Sequence, residues 1–231
     1  MPSLSIVIPV LNEAAGIESL LASLAPLRAR GVEIIVVDGG SGDGTAALAR
    51  AGADQVLSAP RGRGAQMNAG AAAARGDVLL FLHADTRLPA DADRLVCDGL
   101  AASGRRWGRF DVRIEGRSAM LPLVALGMNV RSRLTGIATG DQALFVSRGA
   151  FAQAGGFPDI PLMEDIEMSR RLKRISRPLC LRARVVTSGR RWDERGAWRT
   201  ILLMWRLRLA HFFGTAPDVL ARRYGYVPRQ P

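Results

Sequence analysis

The stretch VEIIVVDGGSGDGT, residues 32 to 45, decides the fold. It begins as a short apolar run, the pattern of a strand covered by helices on both sides of its sheet. At Asp38 the run gives way to Gly39, Gly40, Gly42 and Gly44, which let the backbone turn sharply. Outward from it lie three runs of the same kind, LSIVIPV (4–10), DQVLSA (54–59) and DVLLFL (77–82). Between the first two strands, Ile17, Leu20, Leu21, Leu24 and Leu27 recur at helical spacing, with Gly31 as a stop. Between the last two, GAQMNAGAAAARG (64–76) is an Ala-rich helix closed by Gly76. Strand, helix and strand in alternation predict an α/β fold, a doubly wound and mostly parallel sheet flanked by helices. In such sheets ligands sit at the carboxyl ends of the strands, so the residues after each run are the ones that matter.

After residue 105 the pattern loosens. RFDVRI (109–114) and QALFVS (142–147) read as strands, SAMLPLVALGMNVRSRL (118–134) as a helix, and EDIEMSRRLKRI (164–175) as a helix opened by acids. Residues 197 to 213 put Trp198, Ile201, Leu202, Trp205, Leu209 and Phe212 on one helical face. Arg206 and Arg208 interrupt that run, so it is not expected to span a membrane.

The 231 residues suit one domain with an appendage. Cys97 and Cys180 lie far apart without metal-ligand spacing, and the first residues lack the basic region of a signal peptide. A reduced cytoplasmic protein is therefore expected. Of the net charge of +11, residues 1 to 169 carry −2, from 16 basic and 18 acidic side chains; residues 170 to 231 carry +13, from 16 basic and 3 acidic. A tail so charged suits nucleic acid, anionic lipid or a phosphorylated substrate. Its arginines alternate with Trp, Leu and Met and no nucleic-acid motif accompanies them, which argues against nucleic acid.

The strand ends carry the chemistry. Asn12 and Glu13 follow the first strand, where a dinucleotide fold would place G-x-G-x-x-G, and that motif is absent. Asp38 ahead of its glycines suits a base N–H; the competing reading is a polar turn capped by Asp43 or Thr45. Arg61 and Arg63 on a glycine-rich loop at a helix start suit a phosphate. Asp85 ends the most apolar strand, either to bridge Mn²⁺ or Mg²⁺ to a pyrophosphate or to begin the helix of 91–104. His83 reads as a hydrogen-bond partner of ribose or phosphate, with a metal ligand or a packed side chain as alternatives. Glu164 and Asp165 are either a base for a hydroxyl or acids favoured by the helix dipole.

Taken in order, IVIPVLNE, VDGGSGDGT, RGAQMNAGA, LLFLHADT, TGDQALFV, GGFPDIPLMEDIEMSRRL and RRW resemble family 2 glycosyltransferases with the GT-A fold, from about residue 4 to 192. The resemblance implies a GT-A domain over 1–192, followed by a basic amphipathic helical extension over 193–231. It implies inverting transfer of a sugar from a nucleotide-diphosphate donor to an acceptor hydroxyl, assisted by Mn²⁺ or Mg²⁺. Pro9, Asn12, Glu13 and Asp38 would line the nucleoside pocket, with Arg61, Arg63, Asn68 and His83 nearby. Asp85 matches the last aspartate of D-x-D, which binds metal and diphosphate. Gly140, Asp141 and Gln142 resemble the segment beside donor sugar and acceptor, and Glu164 and Asp165 the base motif, with Asp165 as the base.

Arg191 and Trp192 match the end of Q-x-x-R-W, but Ser188 stands where its glutamine would be. That departure implies transfer of a single sugar, with Arg190, Arg191 and Trp192 at the leaving diphosphate. H-A-D-T with G-D-Q and R-R-W also resembles a bacterial branch associated with arsenosugar biosynthesis. A nucleotidyltransferase of similar fold is the alternative, although it needs no base where Glu164 and Asp165 stand. The expected partners are the donor and a small or lipid-linked acceptor. The tail helix is expected to hide its apolar face on the domain or in a homodimer, or else to lie on the cytoplasmic face of an anionic membrane.

Overall fold

The computed structural model describes residues 2–226, apart from the side chains of Arg195 and Ala197; residues 227–231 of the expected extension lie outside the described residues. Its first half alternates as expected: β1 (Leu4–Val10), α1 (Ala14–Ala29), β2 (Glu33–Asp38), α2 (Thr45–Ala49), β3 (Gln55–Ser58), α3 (Arg63–Ala73) and β4 (Val78–Phe81). The second half adds β5 (Thr86–Arg87), α4 (Ala92–Ser103), β6 (Trp107–Glu115), α5 (Leu121–Thr135), β7 (Phe145–Ser147), α6 (Arg148–Gln153), α7 (Glu164–Lys173) and β8 (Leu179–Ser188). Three helices follow, α8 (Arg190–Arg195), α9 (Ala197–Phe212) and α10 (Pro217–Tyr224). The expected boundary at 192/193 falls inside α8.

One eight-stranded sheet runs in the order β3-β2-β1-β4-β7-β6-β8-β5. β3, β2, β1 and β4 are mutually parallel; β7 runs against them, β6 and β8 pair parallel to each other, and β5 is an antiparallel edge. Period-two alternation splits the strands between two cores. Ile6, Ile8, Ile34 and Val36 face α1, where Ile17, Leu20, Leu21, Leu24 and Leu27 form the buried stripe. Val7, Ile35 and Val37 face the other way, onto Met67 and Ala71 of α3. Each such side chain contributes about 2 kcal/mol on burial. Glu33 survives inside this apolar run because its carboxylate accepts from the Ser5 hydroxyl at 2.6 Å and the Arg75 amide at 2.8 Å, and pairs with the Arg75 guanidinium at 2.9 Å.

Two features depart from expectation. β8 has no apolar run, since Arg182 and Arg184 point to solvent, yet it pairs along nearly the whole of β6, with an irregularity between Phe110 and Asp111. The second departure is α9. Of the alternatives for its apolar face, packing on the domain does not hold for Trp198, Leu202, Trp205, Leu209 and Phe212, which are exposed, while Leu203, Leu207 and Ala210 pack on Ile166 of α7 and Leu220 of α10.

α3 sits unusually close to the sheet. A Cβ on Gly70 would stand 2.3 Å from Cγ1 of Val7 and 3.0 Å from Cγ2 of Val37. Gly70→Ala, which in an exposed helix would stabilise by about 1 kcal/mol, should here destabilise by about 1 to 2 kcal/mol because the strand side chains have no room to yield. Urea denaturation at constant m-value checks the sign.

Candidate active site

The ends of β1 and β2 are fastened by side chains from the loops beyond them. Asn12, in a left-handed conformation (φ 54°), accepts from the Gly42 amide at 3.0 Å while its own amide donates to Ser41 Oγ at 2.9 Å. One oxygen of Asp38 accepts from the amides of Gly40 and Ser41, both at 3.0 Å; the other, Oδ1, is buried without a partner. Gln66 of α3 donates to the carbonyls of Val10 and Val37, both at 2.8 Å, and lies against Gly39. Asp43 accepts from the amides of Thr45 and Ala14 and so ties this loop to the start of α1, while the residue ahead of α2 is Gly44 (φ 87°), not a side-chain cap.

Arg63, the first residue of α3, stands among four carboxylates from three other segments. Its guanidinium is 3.9 Å from Glu164. Burial lowers its pKa, but Glu164, Asp141, Asp165 and Asp85 together outweigh that and raise it. Glu164 is only 4% exposed, and burial together with the neighbouring Asp165 charge pushes its pKa up to about 7, although Arg63 opposes this. Asp165, half-buried, accepts from the Gly140 amide at 2.9 Å. The next residue, Asp141, contacts His83 Nδ1 at 3.3 Å, and the His83 ring lies so close to Gly140 that a Cβ there would meet it at 2.2 Å. His83 is therefore tied to the 140–142 turn, whose Gln142 is buried.

Asp85 belongs to the loop between β4 and β5, well upstream of α4, so it does not cap that helix. It is exposed, and with burial its charge raises the pKa of Glu13 across the crevice. No group of three or more metal-ligating side chains occurs among the described residues. A divalent ion that takes most of its ligands from phosphate oxygens and water needs only one or two carboxylates. Asp85 and Glu13, mutually repulsive and facing Arg63 and Arg190, fit that requirement.

The remaining expected residues fall into two groups. Arg190 lies near Glu13, and Arg191 and Trp192 follow it in α8, with Trp192 packed on the core. Arg191 stacks on the Tyr224 ring at 4.4 Å, and Arg61 on Tyr226 at 5.2 Å. These two tyrosines were not legible as site residues, since nothing local marks them. Asn68 and Pro9 stand apart. Asn68 engages the backbone of Phe157 through both ends of its amide, at 2.8 and 2.9 Å, so its polar atoms serve the fold. Pro9 is buried within β1 opposite Val37.

This arrangement has counterparts. The family model described as Glycosyl transferase family 2 matches residues 5–122. An uncharacterized glycosyltransferase of Mycobacterium tuberculosis is 30% identical over 192 residues, which cover 78% of this chain and 72% of that protein. Among solved structures, S. aureus TarS 1–349 in complex with UDP-GlcNAc shares the fold with a TM-score of 0.65 and 18% identity, over 80% of this chain and 58% of that one, so this chain spans less than two thirds of it. Glucosyl-3-phosphoglycerate synthase from Mycobacterium tuberculosis, solved with Mn²⁺, UDP and glucosyl-3-phosphoglycerate, shares it with a TM-score of 0.60 and 24% identity, over 99% and 82% of the two chains. With the sequence match covering half the chain and the strand-end geometry in place, the chain belongs to glycosyltransferase family 2.

Proposed function

We propose that this glycosyltransferase moves one sugar, with inversion, from a nucleoside-diphosphate sugar to an acceptor hydroxyl, with Asp165 as the base. The observation that carries the reading is the hydrogen bond from the Gly140 amide to Asp165, 2.9 Å, which holds one carboxylate beside the Asp141 and His83 pair and within the field of Arg63. The alternative of nucleotidyl transfer falls with the family.

In this reading Asp165 takes the acceptor proton as the acceptor oxygen bonds to the anomeric carbon and the bond from that carbon to the diphosphate breaks. The departing electron pair stays on the diphosphate, where Arg63, Arg190 and Arg191 oppose its charge. A divalent cation, bound through Asp85 with Glu13 nearby, would add charge neutralisation at the same diphosphate. Asp38 Oδ1 would accept from the base, and Arg61 would reach the nucleotide. Burial and the Asp165 charge raise the pKa of Glu164, which favours its neutral form beside Asp165. Support for donor and metal comes from the two solved relatives with UDP-GlcNAc and with UDP and Mn²⁺.

Asp165→Asn should lower the transfer rate by about 10²- to 10⁴-fold with little change in donor affinity; unchanged turnover would remove Asp165 as the base. In a thermal-shift panel of UDP-, GDP- and dTDP-sugars, the matching donor with Mn²⁺ at 100 times its Kd should stabilise by about 2.7 kcal/mol, and Asp85→Ala should lose the metal-dependent part. Glu164 makes a separate prediction about pH. With its folded pKa raised from 4.5 to about 7, the native state binds the extra proton between those values, so its contribution to stability is lost as pH rises through that window. Urea midpoints at pH 5 and pH 8 should therefore fall more for the wild type than for Glu164→Gln.

A further inference from the structure

Every large apolar side chain exposed among the described residues lies on α5, on α9 and the turn after it, or on α10. On α5 these are Leu123, Leu126, Val130 and Leu134, spaced as one helical stripe, with Leu134 81% exposed. On α9 they are Trp198, Leu202, Trp205, Leu209 and Phe212, again one stripe, with Trp205 74% exposed. The two helices are neighbours. Arg131 of α5 and Arg208 of α9 lie close enough that repulsion from Arg208 adds to burial in bringing the Arg131 pKa down to about 10. Ile137, just past α5, packs into the same cluster as Leu203 and Leu207 of α9.

An apolar patch of this extent marks a contact surface, and its charges select the occupant. Arg199 and Arg206 flank the α9 stripe and are exposed, and residues 170 to 231 carry a net +13. A two-fold dimer through this face would gather the arginines of both copies in one interface, and neither α5 nor α9 carries an acid to pair them. An anionic bilayer instead meets aromatic and aliphatic side chains in its interface and guanidinium groups at its headgroups.

We propose that the outward faces of α5 and α9 form one docking surface for an anionic lipid bilayer. Because Leu207 on the inner side of α9 packs on Ile166, next to Asp165, the docked enzyme presents its base close to the membrane, so the acceptor is one displayed at a bilayer surface. Only this last step rests on the transferase reading.

Co-sedimentation of the full chain with phosphatidylcholine vesicles, with and without phosphatidylglycerol, tests the surface. The expected result is binding to the anionic vesicles alone, weakened by salt, and reduced about tenfold or more by Arg199→Gln/Arg206→Gln and by Trp198→Asp/Trp205→Asp. Equal pelleting of wild type on both vesicles, or of the tryptophan variant and wild type on anionic vesicles, overturns the proposal. So does a concentration-dependent dimer in light scattering that Trp198→Asp/Trp205→Asp abolishes, which would assign the face to a second copy. The tryptophan variant should keep the wild-type thermal shift with donor sugar and Mn²⁺; loss of that shift in the wild type itself would sink the transferase reading and leave the vesicle result standing.

Discussion

The close seat of α3 on β1 and β2 is the constraint from which the rest follows. Gly70 lets the helix approach until Val7 and Val37 fill the space a side chain would need, and Gln66 then reaches the carbonyls at both strand ends. With the helix fixed there, its first residue, Arg63, has one place to go, which is the rim where the loops after β4, before β7 and before α7 deliver their acids. A guanidinium at that point makes it tolerable to collect Asp85, Asp141, Glu164 and Asp165 in one crevice. Without it, nothing positive at that point would oppose the burial that raises the pKa of Glu164.

Much of this was legible in the sequence because it is local. Strand periodicity, the glycines after Asp38 and the acids opening α7 each state their structure within a few residues. Where two readings competed for Asp85, position removed one of them, since it lies too far upstream of α4 to cap that helix. What escaped was set through space. β8 has no apolar signature because one long partner, β6, carries its pairing and only the two-residue β5 lies beyond it, which leaves its arginines facing water. Asn68 carries the right chemistry for a nucleotide but spends it on Phe157, 89 residues away in sequence. For α9, amphipathicity was plain and its direction was not. The more apolar face turned outward, because the packing face needs only Leu203, Leu207 and Ala210.

His83 illustrates how a substitution of type within a motif is absorbed. The imidazole is gripped between Gly140 and Asp141, so His83 braces the turn whose Gly140 amide donates to Asp165.

The stacking of Arg191 on Tyr224 and of Arg61 on Tyr226 joins the end of the chain to the rim. A ring takes the flat face of a guanidinium, whereas phosphate oxygens approach its edge, so the tail backs these arginines without competing for the same geometry. In the proposed reading, where these arginines meet the phosphates of the donor, folding of α10 and donor binding are linked equilibria, and such linkage is reciprocal.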